Sequence, residues 1–130
     1  MPKRAVALGG VFFRSADPKR LAAWYKKHLG LRVHVEGRQV YALFPWQLPN
    51  GGRSGYTVWA PFPAKTWYFG SRQQALMLNY VVEDLDALLK ALRKERVKVV
   101  RKIQETKYGR FAWVEDPEGH RIELWEPLRA

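Results

Sequence analysis

Tyr108-Gly-Arg-Phe-Ala-Trp-Val-Glu-Asp-Pro-Glu-Gly-His-Arg-Ile-Glu-Leu-Trp-Glu-Pro127 reads as two strands joined by a tight turn. Asp116-Pro117-Glu118-Gly119 supplies the turn, because Pro fixes φ at a central position and Gly tolerates a positive one. Pairing Asp116 with Gly119 sets Trp113 opposite Ile122 and Ala112 opposite Glu123. Side chains alternate along a strand, so Phe111, Trp113, Ile122 and Leu124 then share one apolar face. Arg110, Ala112, Val114, Arg121, Glu123 and Trp125 share the other. That face sets a carboxylate, Glu123, inside a strand among aromatic and basic groups, a costly place for an unpaired charge if it is buried.

Upstream of this hairpin, residues 97–103 form a strand. Asp84 caps a helix whose buried stripe is Leu85, Leu88, Leu89 and Leu92, and residues 75–82 form a strand before it. The same order occurs earlier. Residues 5–14 are strand-like, with Gly9-Gly10 inside, a pair that marks a bend or a close approach. Asp17-Pro18 starts a helix with Leu21, Trp24, Tyr25 and His28 or Leu29 at helical spacing, and Gly30 closes it. Strands follow at 31–36, 39–44 and 56–59, the last stopped by Pro61 and Pro63, with a loop at 45–55. Laid over each other, Asp17 falls on Asp84, Leu21 on Leu88 and Tyr25 on Leu92. Thr57-Val-Trp-Ala-Pro61 then matches Glu123-Leu-Trp-Glu-Pro127. A duplicated βαβββ unit uses every element. We expect one domain, 1–130, with a first module at 1–61, a linker at 62–74 and a second module at 75–127. The linker carries Phe62, Trp67, Tyr68 and Phe69 and is too aromatic for a free tether. Each module has one helix to cover one sheet face. The two open faces are expected to enclose a concave, aromatic-lined cavity.

At 130 residues, 47% hydrophobic and 14% aromatic, the chain can bury a core. It has no Cys, which removes disulfides, thiolate catalysis and Cys-ligated zinc and fits a reducing cytoplasm. No apolar run approaches the roughly 20 residues that span a bilayer, so no membrane is expected. The N-terminal apolar run is short and lacks a cleavage site, so a secretory signal is not expected. The formal net charge of +11 favours anionic partners. The basic residues are scattered and no nucleic-acid motif accompanies them, so nucleic acid is not the expected partner.

Asp17-Pro-Lys-Arg-Leu-Ala-Ala-Trp-Tyr-Lys-Lys-His-Leu-Gly-Leu31 and Asp116-Pro-Glu-Gly-His-Arg-Ile-Glu-Leu124 resemble the vicinal oxygen chelate superfamily. That group includes glyoxalase I, extradiol dioxygenases, methylmalonyl-CoA epimerase and bleomycin resistance proteins. The resemblance covers nearly the whole chain. It implies an α+β fold of two βαβββ modules forming a curled, open-barrel mixed sheet with helices outside. Its enzymes hold a divalent metal at four inward-facing positions, usually His, Glu or Gln. By the match these fall on Gly10, Thr57 (or Trp59), Met77 and Glu123, of which only Glu123 is a normal ligand.

The resemblance and the residues together give these expectations. No cofactor is expected, with a divalent metal at Glu123 as the alternative. Glu123 is the catalytic candidate, as a general base, a ligand-contacting acid or a residual metal ligand; a structural pair with Arg110 or Arg121 is the plainer reading. Phe12, Met77 and Asn79 are candidate wall residues. Arg14 and Arg110 could fix an anionic group. Thr57, Trp59 and Trp125 complete the ligand-contacting set. The expected function is metal-independent binding of a small anionic or aromatic molecule between the modules. The alternative is a divergent lyase, isomerase or dioxygenase. A homodimer is expected, because short modules expose sheet edges.

Overall fold

Two aspartates start the two helices. The Asp17 carboxylate accepts from Arg20 N, and Pro18 occupies the first turn of α1 (Pro18–Leu29). Asp84 accepts from Ala87 N at the start of α2 (Leu85–Lys94). Each cap satisfies a backbone donor that has no partner within the helix. Gly30 ends α1 in the left-handed region, φ 72°. The computed structural model describes residues 4–49 and 51–128. Its strands are β1 (Ala5–Ser15), β2 (Val33–Glu36), β3 (Gln39–Gln47), β4 (Ser54–Pro63), β5 (Leu76–Val82), β6 (Lys98–Thr106), β7 (Gly109–Glu115) and β8 (Arg121–Pro127). This is an α+β chain of two successive βαβββ segments. Hydrogen bonding joins the eight strands in the order β2-β3-β4-β1-β5-β8-β7-β6, mixed in direction and not closed into a barrel. Among the described residues no helix is long and apolar enough to cross a membrane.

Two compact units divide the chain within β1. One holds the described residues up to Gly9 and from Met77 onward; the other is Gly10–Leu76. In the first unit, Leu85, Leu88 and Leu89 of α2 pack on Val82, Ala112, Val114 and Leu124. The α2 leucines recur at the spacing the sequence predicts for a buried stripe. In the second unit, α1 covers Val40 and Ala42 with Ala22, all buried. Here the expected stripe is only partly right. Trp24 is 52% exposed and Leu29 62% exposed, while Ala22 is buried. Trp24 lies on the rings of Tyr25 and His28 along the helix surface.

β4 also corrects the sequence reading, since it runs straight through Pro61 and Pro63. The β3 pairing reaches only to Trp59, whereas β1 continues opposite Pro61 and Pro63. A proline without a ladder donor is tolerated where one neighbouring strand has already ended. The 45–55 loop is shorter than expected, because β3 persists to Gln47 and β4 begins at Ser54; Asn50 within it lies outside the described residues.

Candidate functional site

The β7–β8 hairpin turns on one more residue than the sequence suggests. Asp116 N donates to His120 O, and Gly119 N donates to Asp116 O. Asp116 Oδ1 accepts from the backbone of Glu118 and His120, both at 2.9 Å, and Gly119 sits at φ 86°. This is a three-residue loop with glycine at the left-handed bulge position, and it shifts the register by one. Trp113 therefore stands opposite Glu123, Phe111 opposite Trp125 and Ala112 opposite Leu124. The expected face assignment is corrected accordingly. Ala112, Val114, Ile122 and Leu124 face α2, while Phe111, Trp113, Arg121, Glu123 and Trp125 share the opposite face.

A row of side chains crosses this second face. Glu123 is 2% exposed. Its Oε1 accepts from Asn79 Nδ2 at 2.5 Å and its Oε2 from Trp113 Nε1 at 3.0 Å. Asn79 is the parallel-strand neighbour of Glu123, buried beside Met77 and Val81 of the same strand face. A Cβ at Gly9 would collide with Asn79 Oδ1 and come within 3.0 Å of Trp125 and Val81. The missing side chain is thus what lets the Asn79 amide come so close to Gly9. Arg101, from β6, holds its guanidinium carbon 4.1 Å from the centre of the Trp113 ring. Phe111 and Trp125 stack at 5.9 Å with planes 4° apart, and Trp125 Nε1 donates to Tyr108 O.

The other sequence candidates go elsewhere. Arg110 faces α2, where it is bidentate to Asp86 at 2.8 and 3.0 Å and also pairs with Glu105. Asp86 raises the Arg110 pKa, and Arg110 holds the exposed Asp86 carboxyl below its ordinary value. Arg14 donates to four carbonyls, those of Gln74, Ala64, Thr66 and Ser71, and lies against the buried Phe69 ring. It clamps the 64–75 segment, which lies within the second compact unit and not between the two. Trp59 packs against Tyr25 of α1 and Phe13. Thr57 shares its face, so both sit on the helix side, not on an open face. The helix caps give the correct match between modules: Phe12 and Asn79 lie equally far before Asp17 and Asp84. Phe12 pairs with Ala60, and Asn79 with Glu123. The first-module counterpart of Glu123 is therefore Ala60, and Phe12, buried against Phe62, is the counterpart of Asn79. Trp59 and Trp125 are not equivalent.

Arg101 is the residue that sequence reasoning missed. Only a break in strand alternation puts it on this face, and plain alternation gives no hint of one.

Among the described residues, no three His, Cys, Asp or Glu side chains come together in a group able to hold a metal ion. Glu123 is held by the Asn79 amide and the Trp113 indole. Both carboxylate oxygens are engaged by N–H donors. That donor set does not fit a hard divalent ion or zinc, which asks for three protein ligands. His120, the histidine nearest in sequence, instead bonds Asp116 at 2.8 Å in the turn.

The model of the Glyoxalase/Bleomycin resistance protein/Dioxygenase superfamily matches residues 7–124, and the chain belongs to that superfamily. Comparison with curated proteins finds no significant match. Solved structures share the fold. Methylmalonyl-CoA epimerase from Mycobacterium tuberculosis has a TM-score of 0.67 at 22% identity, over 99% of this chain and 93% of that one. A Streptomyces coelicolor methylmalonyl-CoA epimerase variant in complex with 2-nitronate-propionyl-CoA gives 0.68 at 15% identity, over 96% and 99%. A Legionella pneumophila protein described as NAD-dependent benzaldehyde dehydrogenase gives 0.60 at 13% identity, over 92% and 98%. At these identities the likeness is one of fold, and a fold hosts many activities.

Proposed function

We propose that this chain binds a small anionic or aromatic molecule on the Glu123 face of its second module, without a divalent metal. The observation that carries this reading is the buried Asn79–Glu123–Trp113 row, in which both carboxylate oxygens already accept N–H donors. A ligand would meet the part-exposed rings of Phe111 and Trp125, with few, fixed polar groups beneath them, the usual make-up of a small-molecule site. The net charge of +11 suits an anion. The S. coelicolor neighbour was solved with a CoA ester, an anionic ligand of a kind that would suit this charge. The test is tryptophan fluorescence in excess chelator, titrated with CoA thioesters and aromatic carboxylates. Quenching without metal supports the reading. Metal analysis of the purified protein, with thermal shifts in Mg, Mn, Fe(II), Co, Ni and Zn, is its counterpart. Near-stoichiometric metal lost in Glu123→Ala would overturn it.

A second reading is a divergent lyase, isomerase or dioxygenase. It draws on the burial of Glu123, since an enclosed carboxyl held by an amide can serve as a general base, or as a metal ligand if metal analysis is positive. Turnover of a CoA thioester that disappears in Glu123→Gln while binding persists would favour it. The assembly we propose is a homodimer in the cytoplasm. β2 and β6 end the ladder and leave edges that need cover. Elution as a monomer on gel filtration would rule the dimer out.

A further inference from the structure

We infer that Arg101 is the anion-recognising, specificity-determining residue of the Glu123 face, taking a carboxylate, sulfonate or phosphate group of the ligand. This rests on the binding reading above and deepens it.

The warrant is how β6 delivers this side chain. Val99 pairs with Val114 and packs on the α2 core. Regular alternation would send Arg101, two residues on, to that same core face. A register shift between Val99 and Arg101 turns it over instead, opposite Trp113. A second shift lies between Arg101 and Gln104, and Ile103 is back against the core. The strand breaks its ladder twice, and the product is one inverted arginine. Bulges of this kind cost backbone pairing and re-aim a side chain.

What the inversion achieves is specific. The guanidinium comes to rest over the Trp113 ring, and the Trp113 indole is itself fixed by Glu123. A cation held on an aromatic face keeps its planar fork oriented. Arg101 is an exposed residue, at the solvent border of the face that carries Phe111 and Trp125. Two N–H donors can then meet two anion oxygens. Arg121 shares the face but reaches it by plain alternation from Glu123.

The probe is 1-anilinonaphthalene-8-sulfonate, an aromatic anion read by its own fluorescence, titrated in chelator against the native chain and three variants. Arg101→Gln should weaken binding roughly ten- to hundredfold, the worth of charge-assisted hydrogen bonds. Arg101→Lys should recover only part of the loss, because an ammonium lacks the fork. Arg121→Gln, a cation lost from the same face, should weaken binding far less than Arg101→Gln. Unchanged affinity in Arg101→Gln, or a loss confined to Arg121→Gln, overturns the assignment and leaves the binding reading standing. Failure of the native chain to bind the probe overturns both. Near-UV circular dichroism of each variant verifies that the Trp113 surroundings are retained.

Discussion

Trp113 stands directly across the β7–β8 hairpin from Glu123, its indole Nε1 donating to Oε2 over 3.0 Å. The relationship exists because the turn closes on His120 and not on Gly119. With the tighter turn, Glu123 would sit opposite Ala112, and strand and site faces would be mixed.

Trp113→Phe keeps an aromatic ring and deletes the donor. A buried acceptor left without that partner costs about 1–3 kcal/mol. Urea denaturation should show a loss of that size at unchanged m-value. Combining it with Glu123→Ala should cost less than the sum of the two, because both remove the same bond. Additive losses would mean the pair is not coupled.

Gly9→Ala puts a methyl group where Asn79 Oδ1 already lies, with Trp125 and Val81 close behind. Overpacking of this kind costs about 1–3 kcal/mol. The same substitution in an Asn79→Ala background should be appreciably milder. Equal penalties in both backgrounds would show that the amide is not what excludes the methyl.

Arg14→Met removes four hydrogen bonds to the backbone of the 64–75 segment. The expected loss is roughly 2–3 kcal/mol, since hydrogen bonds from a charged donor are worth more than neutral ones. Its signature is local: amide exchange should accelerate in residues 64–75 while α2 and β8 keep their protection. Uniform acceleration would instead mean that Arg14 supports the fold at large.

The turn carries a pH dependence of its own. The hydrogen bond His120 makes to the Asp116 carboxylate raises the His120 pKa, and bonds from His120 lower that of Asp116. The histidine contribution is present below about pH 6.5, the ordinary value, and is lost as pH rises through the raised value. The Asp116 contribution is present above the ordinary carboxylate value and is lost as pH falls through the depressed one. A proton NMR titration should find the His120 midpoint above that of a free histidine, and Asp116→Asn should bring it down. An unmoved midpoint in that variant would exclude the pair.

Much of the fold was legible because local chemistry dictates it. Asp17-Pro18, Asp84 and Gly30 mark helix ends through backbone groups that need partners, and the α2 leucines recur at the period of their buried face. The two-module pattern follows from these markers. The site was legible only in part. Glu123, Asn79 and Met77 were identifiable as a buried set, and Trp125 does share their face. Arg14 goes instead to four carbonyls of a segment whose path the sequence does not show, while the readings of Arg110, Thr57 and Trp59 rest on strand parity and on a repeat match drawn at the strand ends. One residue in a turn, or one shift in a ladder, inverts parity, and neither leaves a trace in hydrophobic alternation. Arg101 was invisible for the same reason: by counting alone it faces the core.

The paired register shifts around Arg101 have an evolutionary consequence. They detach one position from the hydrophobic arithmetic that constrains its neighbours Val99 and Ile103. A mutation there alters what the protein can grip without charging the core for it. Descendants of this chain could therefore exchange arginine for an acid, an amide or an aromatic group and diverge in ligand while keeping one unchanged interior.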